Sequence, residues 1–320
     1  MFQRLFSVFL LVVFLTSCSS QPQTVSRKPL KVELAFWWGD FTLLVAKEKG
    51  FFEKYGVLVE PVYYESFPQA PADLAAGKID VGLFSIGDVL IASEHTDVKV
   101  VAAYDDGGLN TIVAIPEITS VADLQGRQIG VKIGSPYEIF VREMLHTAGL
   151  DTSDVVLVNL SAEEIPSALP DQVQAGFVWE PYTTELLSKG YHILFSSAQI
   201  SSLYPDLITF RSAVVKERPA DVRAFLKAWF EAVEYRMAYP DETREIVAKF
   251  LGISPDEIQV DAQLRIMTHA DNHMMFQRSP SDASRSIYAT AQISADFLIG
   301  IGTLTRQPDL NTIFDPTFHE

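Results

Sequence analysis

Cysteine is nearly absent from this sequence, since the 320 residues include only Cys18. A single cysteine can form no disulfide within the chain, and it cannot supply a cysteine-based zinc cluster. Basic residues are also scarce, with 25 Lys and Arg against 41 Asp and Glu and a formal net charge of -16. Proteins that neutralise nucleic-acid phosphates carry a basic stripe, so this balance argues against nucleic acid as a partner. At ~100–200 residues per domain, the length allows one large or two modest domains.

Long hydrophobic runs are limited to one segment near the start. Residues 5–15 are almost wholly apolar. This run is too short for a transmembrane helix, which needs ~20 apolar residues. Residues 1–4 precede it with one positive charge, and the small residues Thr16 and Ser17 follow it, which is the order of a secretory signal.

The end of that segment has a recognisable form. The sequence Leu15-Thr16-Ser17-Cys18 resembles a bacterial lipobox, in which the cysteine thiol is diacylated and becomes the new N-terminus. The resemblance implies a signal peptide over residues 1–17 and a lipidated Cys18 with a flexible tether over residues 18–29. The protein would then be exported and anchored by lipid to a bacterial membrane. An ordinary signal peptide that happens to contain a cysteine is the alternative.

Strand and helix patterns alternate along most of the remaining chain. Residues 31–36 place apolar side chains on one face at a period of two, which predicts a strand, and residues 42–54 predict a helix after it. Strand predictions recur up to residues 207–211, and helix predictions dominate afterwards, including 221–239 and one opened by a capping box at 254–257. No GxGxxG fingerprint, Walker loop or internal repeat is present in the sequence. The pattern predicts an α/β fold with mostly parallel sheets covered by helices, arranged as two lobes.

Four segments carry a family resemblance. They read AKEKGFFEKYGVLVE over residues 46–60, AAGKIDVG over 75–82, SVADLQGRQIGV over 120–131 and AGFVWEP over 175–181. In this order they resemble the solute-binding proteins of ABC importers, in the group for aliphatic sulfonates, taurine, nitrate and thiamine-pyrimidine precursors. The similarity covers roughly residues 31–318. One departure is that residues 168–175 lack the usual glycine and have Gln174 in place of an aspartate.

This resemblance implies a two-lobed, type II periplasmic-binding-protein fold with a ligand cleft between the lobes. Lobe 1 would comprise residues 30–115 and the helix-rich residues 207–320, and lobe 2 would comprise residues 116–206. It further implies a small-molecule ligand, an ABC permease and its ATPase as partners, and a monomeric protein without a cofactor.

Candidate ligand contacts follow from a rule about open α/β sheets. Ligands bind outside the carboxyl ends of the strands, so the residues that follow the predicted strands are expected at the cleft. In lobe 1 these candidates are Trp38, Asp40, Ser85, Asp88, Asp105 and Asp106, and in lobe 2 they are Ser135, Tyr137, Trp179 and Glu180.

Several of these candidates have a plain structural alternative. Trp37 fits the core as well as the pocket, and the predicted pocket residue of this pair is therefore Trp38. Ser85 and Asp88 could simply cap the helix that follows them, and Ser135 is placed as an N-cap too. Asp105 and Asp106 could form an ordinary acidic turn. Trp229 fits the apolar stripe of its helix and is predicted to be core.

The polarity of these loops indicates the class of ligand. Carboxylates and aromatic rings prevail there, and Lys132 is the one nearby cation in the sequence. Stacking, cation–π contact and hydrogen bonds to N–H groups would suit a flat, nitrogen-bearing or amine-type solute such as a thiamine-pyrimidine precursor. The alternative is an aliphatic sulfonate, taurine or nitrate, for which facing carboxylates would be unfavourable.

A zinc site and an enzymatic activity are the two other functions that the sequence could indicate. His269 and His273 stand at i and i+4 and could share a zinc ion on a helix, but no third ligand is in view, so a polar surface turn is expected. The same fold resemblance extends to a pyrimidine synthase with a cysteine-rich motif and to small dehydratases. Because the chain has no cysteine beyond Cys18 and no spaced catalytic set, an enzyme is not expected, although an exported enzyme is a second alternative.

Replacing the predicted lipidation site should release the protein from membranes. In a bacterial host, Cys18→Ser should appear in the soluble extracytoplasmic fraction, because the thiol that would carry the lipid is gone. Fractionation followed by immunoblotting measures this. Anchoring of the Cys18→Ser protein that still requires detergent for release would contradict the lipobox interpretation.

Overall fold

The computed structural model describes residues 28–64, 69–107, 110–199, 205–258, 264–277 and 286–319. The predicted signal peptide, Cys18 and the tether up to residue 27 lie outside the described residues. Within the described ranges, every helix is too short or too polar to cross a membrane.

The strands of the described residues form two five-stranded sheets. They are β1 (Leu30–Leu34), β2 (Val59–Tyr63), β3 (Val81–Ser85), β4 (Val98–Asp105), β5 (Thr111–Ala114), β6 (Gln128–Val131), β7 (Val156–Asn159), β8 (Ala175–Val178), β9 (His192–Ser196) and β10 (Asp206–Arg211). The first sheet has the order β2-β1-β3-β10-β4, and the second has the order β7-β6-β8-β5-β9.

The helices of the described residues cover both sheets. They are α1 (Thr42–Glu48), α2 (Phe51–Lys54), α3 (Gln69–Ala75), α4 (Ile86–Ala92), α5 (Pro136–Thr147), α6 (Ile165–Ala168), α7 (Tyr182–Ser188), α8 (Ser212–Glu217), α9 (Pro219–Ala238), α10 (Pro240–Leu251), α11 (His269–Met275), α12 (Ile287–Gly300) and α13 (Leu310–Ile313). The short 3₁₀ turns are Val121–Leu124, Ser197–Gln199, Pro255–Glu257 and Pro316–Phe318.

Each sheet contains one strand that runs against the others. In the first sheet β1 is parallel to β2 and β3, whereas β10 is antiparallel to both β3 and β4. In the second sheet β6 is parallel to β7 and β8, whereas β5 is antiparallel to both β8 and β9. Four of the five strands in each sheet therefore point the same way, which confirms the mostly parallel, two-lobed prediction.

The lobe boundaries differ from those predicted. Residues 111–114 form β5 of the second sheet, so the chain leaves the first lobe after β4, before residue 115. Asp206 begins β10 and belongs to the first sheet rather than to the second lobe. A short apolar run has the same pattern in either sheet, and the pattern does not reveal which strands it pairs with.

The capping box at 254–257 does not open the predicted α-helix, because only the 3₁₀ turn Pro255–Glu257 forms there. Residues 161–164 also have the Ser-x-x-Glu sequence of a capping box, and it is half present. The hydroxyl and N–H of Ser161 donate to Glu164 Oε2 at 3.0 and 2.8 Å, but the helix that follows, α6, has only four residues. These motifs favour a helix start, and packing of the following residues decides how long the helix becomes.

The unusual segment around Gln174 keeps the geometry of its counterpart in the first lobe. Asp80 accepts a hydrogen bond from the Lys31 backbone N–H at 3.1 Å and donates its own N–H to the Lys31 carbonyl at 2.8 Å. Gln174 does the same toward Gln128, at 3.1 and 2.9 Å. The amide oxygen of glutamine thus replaces the carboxylate oxygen, and the loop retains its contact with the neighbouring strand.

The core of the first lobe supports the loops of the cleft. Trp229 on α9 is completely buried, as predicted, and it packs between the rings of Tyr104 and Phe225 at centroid distances of 5.7 and 5.8 Å. Tyr104 lies on β4, directly beneath the loop that follows β1. The packing of α9 therefore reaches the floor of the space between the lobes.

Candidate functional site

A cleft that is open to solvent lies between the two lobes, with about 980 Å³ of empty space, solvent included. We refer to it as the main cleft. Both lobes contribute to it through residues at strand ends and helix starts. Its lining residues are Ala35, Phe36, Trp37, Asp40, Tyr64, Leu83, Ser85, Ile86, Gly87, Tyr104, Gly107, Asn110, Pro136, Tyr137, Glu163, Trp179, Glu180, Pro181, Tyr182, Asp206 and Ser294.

Half of the predicted contact residues line the main cleft and half do not. Those that line it are Asp40, Ser85, Tyr137, Trp179 and Glu180. Those that are absent from its lining are Trp38, Asp88, Asp105, Asp106 and Ser135. Two members of the second group, Asp88 and Ser135, form hydrogen bonds with Ser85 and Tyr137 of the first.

The floor of the main cleft is set by the pairing of β10. Asp206, its first residue, lies opposite Ser85 at the end of β3 and opposite Asp105 at the end of β4. Asp105 is fully buried, and its carboxylate accepts hydrogen bonds from the Trp37 indole N–H at 2.8 Å and from the Gly107 N–H at 2.9 Å. Asp105 therefore holds Trp37 in place from beneath the cleft.

Asp105 and Asp206 share a hydrogen bond between their carboxyl groups. Burial raises the pKa of Asp206 well above its usual range, and the neighbouring charge of Asp105 raises it further. Burial also raises the pKa of Asp105, but only to about 6, because Asp206, Gly107 and Trp37 donate hydrogen bonds to it. Asp206 therefore holds the shared proton and presents a neutral acid to the cleft.

Asp40 is a second buried acid of the cleft. Its carboxyl oxygens accept hydrogen bonds from the Ala35 N–H at 3.0 Å and from the Tyr104 hydroxyl at 2.8 Å. Burial raises its pKa from 3.8 to about 8, even though both hydrogen bonds act in the opposite direction. Asp40 is therefore largely protonated near neutral pH while the cleft is empty of charged partners.

The loop that carries Asp40 requires a glycine and an arginine. A Cβ on Gly39 would lie 1.9 Å from Asp105 Oδ2, so no larger residue fits there. Arg236 on α9 is buried beneath the loop and donates to the carbonyls of Trp38 at 2.9 Å and Gly39 at 3.2 Å, and to the Thr42 hydroxyl. Burial lowers the pKa of Arg236 to about 10, so it stays charged at neutral pH.

The two adjacent tryptophans differ in whether they line the main cleft. Trp37, not Trp38, lines the main cleft, because its indole N–H is fixed by Asp105. Trp38 turns away and packs edge-on against Phe41 at 5.9 Å, with the Arg236 guanidinium 5.0 Å from its ring centroid. Trp38 is therefore absent from the lining of the main cleft, and its role as a ligand contact stays a prediction.

Three of the predicted polar contacts serve helix starts or loop contacts. The Ser85 hydroxyl donates to Asp88 Oδ2 at 2.5 Å and accepts from the Asp88 N–H at 3.2 Å, which caps α4. Ser135 caps α5 by accepting from the Tyr137 N–H at 3.2 Å. Asp106 exchanges two hydrogen bonds of 3.1 Å with the backbone of Arg265. The side chains of Asp88, Ser135 and Asp106 therefore form hydrogen bonds within caps and loops, whereas Ser85 also reaches the cleft.

Aromatic rings form the wall that the second lobe contributes. Tyr137 stacks on Phe177 with a centroid distance of 4.8 Å and an interplanar angle of 23°, and it is tilted against Trp179 at 5.2 Å. Burial raises the pKa of Tyr137 well above its usual range, so its hydroxyl remains a hydrogen-bond donor. The wall offers flat apolar faces with one polar tip.

Sequence reasoning missed several lining residues for one geometric reason. Asp206 and Asn110 stand at the amino ends of β10 and β5, the antiparallel strands, and these ends reach the cleft because the strands are reversed. The carboxyl-end rule does not apply to a reversed strand. Tyr64 follows β2 and satisfies the rule, so it could have been found. Glu163 lies in the turn before α6 and Tyr182 is the first residue of α7, and neither position carries a distinctive signal.

The charges that line the main cleft are all of one sign. Its acidic residues are Asp40, Glu163, Glu180 and Asp206, and its lining contains no Lys, Arg or His among the residues that the structure describes. Such a surface can accept hydrogen bonds from N–H groups and attract a cation, and the protonated Asp40 can also donate. The candidate histidines lie elsewhere: the His269 ring packs against Phe230 at 5.2 Å, and His273 Nδ1 is 2.9 Å from the His319 carbonyl oxygen.

Comparisons with known proteins agree with this architecture. The family model described as NMT1/THI5 like matches residues 40–243. A Bacillus subtilis protein named for aliphatic sulfonates binding is 27% identical over 323 residues, covering 97% of this chain and 94% of that protein. A Haemophilus influenzae protein named for thiamine biosynthesis is 29% identical over 226 residues, covering 68% and 70%. The crystal structure of the periplasmic aliphatic sulphonate binding protein of Escherichia coli matches with a TM-score of 0.72 at 20% identity, covering 91% and 93%.

The buried Asp40 should make the ligand-free protein less stable as the pH rises. Its pKa is raised from 3.8 to about 8 by folding, so the folded protein binds one more proton than the unfolded chain between these values. That stabilisation is complete below about pH 4 and is lost as the pH rises toward 8. Asp40→Asn cannot ionise, so its free energy of unfolding should fall less steeply than wild type between pH 5 and pH 8. Urea unfolding at several pH values measures both slopes, and equal slopes would contradict the assignment.

Gly87 should be needed for the lobes to approach each other. It lies in α4 of the first lobe, and a Cβ there would be 2.1 Å from Pro136 Cγ of the second lobe. Gly87→Ala should therefore hold the lobes apart and increase the radius of gyration measured by X-ray scattering. Gly300→Ala is the control, because a Cβ at that helical position meets no atom within 4 Å. A Gly87→Ala scattering profile identical to wild type would count against this contact.

Proposed function

The chain belongs to the NMT1/THI5-like family, and from that premise we propose that it is the extracytoplasmic solute-binding protein of an ABC importer. The observation that supports this is the main cleft, which two lobes build from facing strand ends. Closure of two lobes around a solute gives a transporter a liganded shape to recognise. The relatives and structural neighbours named above as binding proteins favour binding over catalysis, and we propose no enzymatic activity.

We propose a small nitrogen-containing aromatic or amine-type ligand, similar to a thiamine-pyrimidine precursor. Trp37, Tyr137 and Trp179 supply ring faces for a flat molecule, and ring faces also attract cations. Asp40, Glu180 and Asp206 supply hydrogen-bond partners for its amino groups and ring nitrogens. The relative named for thiamine biosynthesis supports the same class of ligand.

An aliphatic sulfonate, taurine or nitrate is the second candidate. The names of the Bacillus subtilis relative and the Escherichia coli structure favour it. A sulfonate in the main cleft would face four acids, and like charges repel strongly in a desolvated site. It would therefore bind only while the acids beside it are protonated, and its affinity would fall as the pH rises.

We also propose that lipid on Cys18 holds the protein at a membrane, and that it works as a monomer beside the permease and its ATPase. The tether that precedes residue 30 would keep the folded lobes close to the transporter without inserting them into the bilayer.

A thermal-shift screen tests the class of ligand. Pyrimidines, flavins, amines, sulfonates and nitrate are compared as additives, since a ligand that binds only the native state raises the midpoint of unfolding. At a hundredfold excess over the dissociation constant the stabilisation is about 2.7 kcal/mol. We expect aminopyrimidines or amines to give the largest shift. A shift with sulfonates or nitrate alone would favour the second candidate and refute the first.

Variants of the lining residues then locate the site. Trp179→Ala and Asp206→Asn should each weaken binding of the best compound by about tenfold, which corresponds to about 1.4 kcal/mol for a lost stacking or hydrogen-bonding contact. Asp171→Asn is the control for replacing an acid by an amide, because Asp171 is exposed and is absent from the cleft lining. Isothermal titration measures the affinities. Unchanged affinity in both cleft variants would exclude the main cleft as the binding site.

A further inference from the structure

A second cavity, with about 680 Å³ of empty space, solvent included, opens beside the main cleft. We call it the side chamber. It shares Phe36, Trp37, Glu180 and Pro181 with the main cleft, so the two spaces adjoin. Its remaining lining residues are Trp38, Phe41, Thr184, Leu251, Ile253, Ile258 and Leu264.

The side chamber differs from the main cleft in chemistry. Within the described part of the chain, Glu180 and Thr184 are the lining side chains that have oxygen atoms, and the Glu180 carboxylate accepts a hydrogen bond from the Thr184 N–H at 3.2 Å. The Trp37 indole N–H is likewise occupied by Asp105. Most of the remaining lining is hydrocarbon and aromatic surface, and a bound group gains by displacing water from such a surface.

One wall of the side chamber is firmly built. Phe41 contacts Phe36 and Trp38 edge-on at centroid distances of 5.8 and 5.9 Å, with interplanar angles near perpendicular at 88° and 89°. Arg236 holds Trp38 from behind, through the hydrogen bond to its carbonyl and the cation–π contact of 5.0 Å. This wall exists without a ligand, so a ligand does not bear the entropy cost of ordering it.

The opposite wall brings together two distant parts of the chain. Pro181 and Thr184 come from the second lobe, and Leu251 and Ile253 come from the end of α10 in the first lobe. Phe36 and Ile253 each remain 39% exposed, which is high for large apolar residues in a recess. The chamber thus presents partly exposed apolar side chains at the point where the lobes meet, next to the polar cleft.

We propose that the side chamber binds an uncharged hydrophobic substituent of the same ligand whose polar ring lies in the main cleft. The ligand class is then an amino-substituted heteroaromatic ring that carries an aryl or branched alkyl group. The polar ring in the main cleft rests on the proposed function, whereas the hydrophobic substituent rests on the side chamber alone. We assign both groups to one molecule because the two cavities adjoin at Phe36 and Trp37.

The chamber can be tested first without any polar head group. N-phenyl-1-naphthylamine is an uncharged dye whose fluorescence rises in apolar sites, and it should bind the full-length protein saturably. Ile253→Ser should weaken this binding about tenfold, because it places a hydroxyl in the chamber wall. Ile193→Ser is the matched control, since Ile193 is 36% exposed on β9 and absent from the chamber lining. Equal binding by both variants, or no saturable binding, would overturn the proposal.

A pair of related ligands then tests the connection between the cavities. 4-Amino-5-(aminomethyl)-2-methylpyrimidine is compared with its N-benzyl derivative by isothermal titration. The benzyl compound should bind wild type at least about tenfold more tightly, and in Ile253→Ser the two affinities should become equal. Unequal affinities that Ile253→Ser does not change would overturn the proposal. Circular dichroism melting confirms that both isoleucine variants fold.

The two hypotheses fail in different ways. If neither pyrimidine binds but the dye binds in a manner that depends on Ile253, the chamber stands and the proposed head group is wrong. If the parent pyrimidine binds while the benzyl group adds nothing and the dye does not bind, the proposed function stands and the chamber assignment is wrong.

Discussion

Two carboxyl groups can lie side by side in a protein interior only if one of them keeps its proton, and Asp105 and Asp206 meet this constraint where β4 and β10 pair. The shared proton joins the strand that leaves the first lobe to the strand that returns to it. Through Asp105 it also fixes the Trp37 indole. The floor of the cleft, its first aromatic wall and the chain crossing therefore meet at this pair of acids.

Neutral side chains also explain how so acidic a cleft is compatible with folding. Burial keeps Asp40 neutral, and Arg236 donates hydrogen bonds to the backbone of the loop rather than to a cleft carboxylate. Two of the four cleft acids, Asp40 and Asp206, are thus neutral in the ligand-free protein. A cationic ligand would favour the ionised form of these acids, whereas an anionic ligand requires them to stay neutral.

Much of the fold could be predicted from the sequence, because alternating strand and helix patterns depend on local periodicity. Trp229 was placed correctly in the core by the same kind of pattern. Strand direction is not local, and for this reason Asp206 and Asn110, at the amino ends of reversed strands, could not be assigned to the cleft. The choice between Trp37 and Trp38 depended on which indole meets Asp105, which lies 68 positions away from Trp37 in the chain. Gln174 illustrates the opposite case, in which an altered motif retained its contact because an amide oxygen accepts the same hydrogen bond.

The close approach of Gly87 and Pro136 also sets a limit on how small a solute the cleft can hold. Backbone on one lobe already meets a proline ring on the other, so further closure is blocked by hard repulsion rather than by the solute. A solute much smaller than the cavity would leave some walls without contacts, and dispersion attraction fades within about 1 Å of separation. The contact acts as a mechanical stop, and it selects for molecules large enough to touch both lobes at once.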